Sequence, residues 1–127
     1  MVIDKENIVA KTLYAEARGE GDRGMRAVAT VIYNRAQRDV LRFADICLAP
    51  KQFSCWTSGA GFTVPSAAAD VAAFAICLKI ESEMNTGKFE PLGCWTHYYN
   101  PRLSSPSWAK GCDGKVIGNH KFLTLKK

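Results

Sequence analysis

The stretch LYAEARGEGDRGMRAVATVIYNR, residues 13–35, holds two helical patterns that meet at a pair of glycines. It commits the chain to helix packing before anything else is read. Asp4 is placed to cap a helix from about Ile3 to Ala17, with Ile8, Val9, Thr12, Leu13 and Ala15 or Glu16 at helical spacing. Gly19 and Gly21 stop it. Asp22 can then cap a second helix over about 23–38, in which Val28, Val31, Ile32 and Arg35 share one side and Ala27 and Ala29 admit a close neighbour.

The remainder of the chain is less regular. A short apolar turn around Phe43 to Leu48 leads into APKQFSCWTSGAGFTVP, where Gly, Pro and Ser break any long period. Ser66 can cap a third helix to about Asn85, with Ala67, Val71, Phe74, Ala75 and Leu78 as its buried stripe and Thr86-Gly87 as its exit. CWTHYYN at 94–100 is aromatic and strand-like, PRLSSPSWAKG carries two prolines, and KVIGNHKFLTL supplies short extended pieces. The expected fold class is α+β, mainly α, as one domain over 1–127 with a small β element near the C-terminus. A chain of 127 residues is long enough to bury a core without crosslinks.

Seventeen Lys and Arg against twelve Asp and Glu give a net charge of +5. Such a chain is drawn to anionic polymers, bacterial wall polymers among them. The basic residues are dispersed rather than run together, which is the pattern of a solvated surface and not of a nucleic-acid arm. VIDKENIVAKTLY has no apolar signal-peptide core, and the apolar run at 67–78 contains Asp70 and is too short to span a bilayer. A monomer without stable membrane insertion is expected. Five cysteines, with no CxxC pair, read as reduced and mostly buried thiols. Cys94, His97, Cys112 and His120 can be drawn as a zinc site, but their spacing fits none of the common zinc modules. Neither a metal nor a cofactor is expected.

Gly19, Gly21 and Gly24 spell G-x-G-x-x-G, the dinucleotide fingerprint. That fingerprint needs a buried strand before its first glycine, because strand, turn and helix together aim backbone N–H groups at a pyrophosphate. Here the preceding residues have helical period, and Glu20 and Asp22 would stand inside the loop and repel phosphate. The glutamates are the more informative residues. Glu16 follows Val9 by seven, Thr12 by four and Leu13 by three, so it shares their face and lies at the rim of the buried surface near a helix C-terminus. Those are surroundings in which a carboxyl can keep a proton, as a general acid must. A structural salt bridge from Glu16 to Arg18 or Arg35 is the alternative. Glu20 reads as a solvent-facing or loop-anchoring carboxylate and stands as the candidate second carboxylate.

LYAEARGE followed by GMRAVATVIYNR, then KQFSCW, THYYNP, PSWA and IGNHKF in that order, resembles the cell wall hydrolase family that includes the spore cortex-lytic transglycosylase catalytic domain. The resemblance runs over nearly the whole chain. It implies a lysozyme-like fold and cleavage of peptidoglycan glycan strands at the β-1,4 bond between N-acetylmuramic acid and N-acetylglucosamine, with Glu16 as the acid. It further implies a role like that of a small phage endolysin, held in the host cytoplasm before release to the wall or periplasm.

Two outcomes are open to such an acid. A lytic transglycosylase uses the C6 hydroxyl of the muramic acid and needs no second carboxylate, whereas a muramidase needs an Asp or Glu across the ring. Gln52 and Ser54 lie in the loop where similar transglycosylases place a glutamine against the substrate. His97, Tyr98, Tyr99 and Asn100 join flat rings to polar tips, which suits sugars. Because Tyr98 and Tyr99 alternate on a strand, one faces the core and the other the groove. Trp56, Trp95 and Trp108 read as core. Competing readings are a glycan-binding module without catalysis and a metal-dependent amidase or peptidase built on His97, His120 and a cysteine.

Overall fold

The computed structural model describes residues 6–49, 53, 65–111 and 114–124. Helix α1 (Ile8–Ala17) is followed by α2 (Gly21–Arg35), a 3-10 turn at Val40–Arg42, α3 (Phe43–Leu48) and α4 (Ala68–Asn85). Strand β1 (His97–Tyr99), a 3-10 turn at Ser107–Ala109, β2 (Gly114–Ile117) and β3 (His120–Leu123) complete the order. The strands form one antiparallel sheet in the order β1-β3-β2, with Tyr98 opposite Phe122 and Val116 opposite Lys121. A mainly helical body with a small late sheet is what the sequence pattern predicts.

Helix α2 is the centre of the body. Met25, Ala27, Val28, Ala29, Thr30, Val31 and Ile32 are all buried, so the helix is enclosed on nearly every side and its alanines let α1 and α4 approach. The joint between α1 and α2 is only residues 18–20. Gly21 makes it that short: its φ of +74° is in the left-handed region, which lets the chain reverse directly into α2. Gly24 is needed for space, since a Cβ there would collide with the Glu20 side chain. The guanidinium of Arg26 joins α2 to α4 through two bonds to Glu83, at 2.7 and 2.9 Å.

Several local expectations are corrected. Helix α1 begins at Ile8, not Ile3; Asp4 lies outside the described residues, and Asn7 before the helix is left-handed with no side-chain cap. The orphan N–H groups of that first turn are met instead by Glu81 of α4, which accepts from Ala10 at 3.4 Å and also from Val9. Asp22 is not a cap but sits in the first turn of α2, bonded to Arg26 at 2.8 Å. That helix ends at Arg35 rather than near 38, because Gln37 and Arg38 both take positive φ. Ser66 lies outside α4 as well, and Ala67 stands before its first residue.

The largest correction concerns the buried stripe of α4. Cys77, Ile80, Glu81 and Met84 form it, whereas Ala67 and Ala75 are exposed, Val71 is 50% exposed, and Phe74 and Leu78 are half-buried. The run AAADVAAFAICL is apolar all round except at Asp70 and so marks no unique face; the crossing with α1 selects one. Burial pushes the Cys77 thiol up to about 12, and its Sγ lies 3.6 Å from Met25 Sδ. Cys47 is buried as well, whereas Cys94 is exposed; Cys55 and Cys112 lie outside the described residues.

Candidate active site

Glu16 stands in the last turn of α1, half-buried, on the face whose Val9, Thr12 and Leu13 are buried. The hydroxyl of Tyr98 donates to Glu16 Oε1 at 2.7 Å, joining residues 82 apart in the chain. A hydroxyl-to-carboxylate bond of that length is at the strong end for neutral donors. It fixes the plane of the carboxylate. The salt-bridge alternatives of the sequence reading take other partners: Arg18 turns back to the Tyr14 hydroxyl at 3.2 Å, and Arg35 gives its Nε to the Thr96 carbonyl at 2.5 Å.

Tyr98 is brought to Glu16 by polar side chains on α2. Thr30 Oγ1 accepts from the Leu92 N–H at 3.0 Å, and Asn34 Nδ2 donates to the carbonyls of Gly93 at 3.1 Å and Trp95 at 2.8 Å. With the Arg35 bond to Thr96, residues 92–96 are laid along α2 and β1 starts at a fixed height. Phe122 of β3 stacks on the Tyr98 ring at 5.4 Å, and the His120 ring meets it edge-on at 5.1 Å. These contacts leave the phenol little freedom but the reach to Glu16.

Two basic side chains around the start of β1 are shifted by burial. Burial lowers the Arg35 guanidinium from its ordinary value, opposed by the nearby Tyr98. Burial likewise pushes the His97 imidazole below 6.5, and the charge of Arg35 adds to the effect. His97 is therefore neutral at pH 7, with Nδ1 2.9 Å from Thr96 Oγ1.

Glu20 is held at the β2–β3 turn, and its partner His120 is the same ring that meets Tyr98. Its Oε2 accepts from the Asn119 N–H at 3.3 Å and its Oε1 lies 3.5 Å from His120 Nδ1, with only 11% of its side chain exposed. It grips the turn between β2 and β3, where Gly118 has a φ of +60° and a Cβ would collide with the Glu20 carboxylate. Of its two sequence readings, the loop anchor describes this position.

The remaining candidates divide by strand face. His97 and Tyr99 leave β1 on the side opposite Tyr98, where both rings pack against Trp108, at 5.4 and 5.8 Å. Trp108 is 42% exposed and so is not the core residue the sequence suggests; Trp95, half-buried against Phe122, comes closer. Asn100 uses its side-chain oxygen in its own turn, accepting from the Arg102 N–H at 2.9 Å. Gln52, Ser54 and Trp56 lie outside the described residues. His97 and His120 project from opposite faces of the sheet, which separates the two imidazoles a zinc site would need. Among the described residues no three His, Cys, Asp or Glu side chains converge on a point. Two clefts open away from Glu16, one of about 460 Å³ beside Asn34, Arg38 and Cys94, and one of about 370 Å³ beside Tyr99 and Lys110.

A family model described as Cell Wall Hydrolase matches residues 19–123. The chain belongs to the cell wall hydrolase family. Glu16 precedes the matched span by three residues. The hydrolase is similar in structure to the catalytic domain of the germination-specific lytic transglycosylase SleB from Bacillus anthracis, with a TM-score of 0.66 at 24% identity over 98% of this chain and 97% of that one. It is also similar to the catalytic domain of the Bacillus cereus SleB protein, with a TM-score of 0.63 at 25% identity over 94% and 89%. The fold is that of these lysozyme-like domains. A comparison with curated protein sequences finds no match. In this hydrolase no helix among the described residues is long and apolar enough to cross a membrane.

Sequence reasoning missed Asn34, Thr30, Glu81 and the exposed Trp108. Asn34 and Thr30 had a signal: polar residues inside an otherwise buried helix need partners, and here the partners are the backbone of 92–96. Glu81 gave none, because KIESEM reads as an ordinary polar face.

Proposed function

We propose that this hydrolase cleaves peptidoglycan glycan strands at the β-1,4 bond between N-acetylmuramic acid and N-acetylglucosamine, acting as a lytic transglycosylase with Glu16 as acid and then base. The observation that carries this is the half-buried Glu16 at the end of α1, held by the Tyr98 hydroxyl at 2.7 Å. Tyr98 occupies one carboxylate oxygen and orients the other toward the scissile bond. Protonated Glu16 gives its proton to the departing O4 as the C1–O4 bond breaks. The C6 hydroxyl of the same muramic acid then attacks C1, the new C1–O6 bond closes a 1,6-anhydro ring, and the hydroxyl proton returns to Glu16. No water is consumed and the acid is restored.

The positions of the neighbouring carboxylates support a one-carboxylate route over a muramidase. Glu20 is committed to Asn119 and His120, and Asp22 to Arg26. The resemblance to the SleB catalytic domains supports the same class. Phage-type lysis is the proposed setting, with the protein kept in the host cytoplasm until release to the wall; a positive charge suits an anionic wall.

The test is digestion of purified sacculi with mass analysis of the released muropeptides. Anhydro-muramic ends are expected, and reducing ends would establish a muramidase instead. Glu16→Gln keeps the acceptor for Tyr98 but has no acidic proton, so it is expected to fold with an unchanged Tm and lose at least about 100-fold in rate. Retained activity in that variant would remove Glu16 from the mechanism.

A further inference from the structure

The cleft beside Tyr99 lies on the opposite side of β1 from the Glu16–Tyr98 contact and has no part in the chemistry above. Its lining is Tyr99, Ser105, Pro106, Ser107, Ala109 and Lys110, around about 370 Å³. That volume is at the small end of the range for small-molecule sites. A turn that closes on the Asn100 carbonyl leads from β1 to the lining residues, and the 3-10 turn at Ser107–Ala109 stands among them.

Three features fit one ligand chemistry. Trp108 is 42% exposed, and its ring is braced by Tyr99 at 5.8 Å and 85° and by His97 at 5.4 Å and 52°. Such bracing holds a large flat apolar surface open to solvent at little further cost in side-chain entropy. Ser105, Ser107 and Pro106 line the cleft, bringing hydroxyl-bearing residues beside apolar surface as a sugar ring requires. Lys110 also lines the cleft and brings a cationic residue to it. An uncharged glycan would have no use for it, whereas a muramic acid bearing a peptide stem carries carboxylates.

Leu123 shows that this side of the sheet is a built surface. It is 1% exposed, yet it faces away from the main core, on the same side as His97, its partner in register. That face is packed at Leu123, while Val116 farther along it is 63% exposed.

We infer that the reverse face of the sheet is a second, non-catalytic binding site for a peptidoglycan fragment, with Trp108 against the sugar and Lys110 on a stem carboxylate. The ligand class rests on the proposed function; the site itself rests on the cleft and on Trp108, which stands between its lining residues Ser107 and Ala109 and packs on its Tyr99. Occupying it tethers the enzyme to the polymer and raises the effective concentration of glycan at Glu16 without adding to the chemistry.

The experiment is an NMR titration of the full chain as Glu16→Gln, with a disaccharide-tetrapeptide muropeptide as probe and chitotetraose as the stem-free control. Saturable shifts of the Trp108 indole N–H and of the 105–110 amides are expected with the muropeptide. At least a fivefold weaker response is expected with chitotetraose. Lys110→Gln in the same background is expected to bring the muropeptide down to the chitotetraose level at these signals, and Trp108→Ala to abolish the 105–110 shifts while the Tyr98 and Phe122 signals stay in place. Shifts confined to the surroundings of Glu16 and Tyr98 would overturn the second site and leave the proposed function standing. No response at either place, with no release of muropeptides by the wild type, would overturn the proposed function. Equal affinity for the two probes would overturn the role of Lys110.

Discussion

Gly118→Ala examines whether Glu20 anchors the sheet. The substitution puts a Cβ at a φ of +60° and into the Glu20 carboxylate. The left-handed conformation costs an alanine about 1 kcal/mol. Driving the carboxylate off the Asn119 N–H, a bond of 3.3 Å to a charged acceptor, costs about 1.5–3 kcal/mol more. The expected loss is about 2.5–4 kcal/mol, and with an unfolding entropy of about 2.1 cal/mol/K per residue over this chain the melting temperature falls by roughly 9–15 °C. A double-mutant cycle with Glu20→Ala, followed by thermal and urea unfolding, isolates the collision. In the Glu20→Ala background Gly118→Ala should cost only the conformational part, about 1 kcal/mol, giving a coupling of about 1.5 kcal/mol or more. Additive losses would refute the anchor. So would Glu20→Ala losing glycan cleavage while its folded fraction is intact, since that result makes Glu20 part of the chemistry.

Tyr98→Phe deletes one hydroxyl and keeps the ring stacked on Phe122; it should lower kcat roughly 10- to 100-fold with KM little changed, read by sacculus clearing at saturating substrate. Burial raises the Glu81 carboxyl above 4.5 against the pull of the Val9 and Ala10 N–H groups. Because the folded value lies above the unfolded one, the Glu81 contribution to stability is full below about pH 4.5 and declines as pH rises through the folded value. Glu81→Gln keeps an acceptor without the charge, so its urea midpoint should gain on the wild type between pH 4 and 7, and a pH-independent difference would contradict this. Asn34→Ala leaves the Gly93 and Trp95 carbonyls short of a donor and should cost about 2–4 kcal/mol by urea unfolding.

How far the sequence could be read depended on whether a residue's role was set locally. Glu16 was legible because seven, four and three residues before it lie Val9, Thr12 and Leu13, and helical arithmetic needs no tertiary information. Tyr98 and Tyr99 were legible as a pair facing opposite ways, though not as to which one reaches Glu16; the register with Phe122 decides that. The buried face of α4 was illegible because its first half is apolar all round except at Asp70. Glu81 was hidden for a different reason, since its partners are backbone groups of another helix and leave no mark in its own neighbourhood. Trp108 was misread because tryptophan is so often interior.

The three bonds that hold the ends of α1 and the joint after it are all distant in sequence: Glu81 to Ala10 spans 71 residues, Tyr98 to Glu16 spans 82, and Asn119 to Glu20 spans 99. Each closes a long loop, and the entropy of closure must be met before the contact gives anything back. The pairing of α1 with α2 and the β2–β3 hairpin need no such closure. In terms of chain entropy, Glu16 therefore sits on a helix whose pairing with α2 is local, while the hydrogen bond that orients its carboxylate is won only by closing one of the longest loops in the chain.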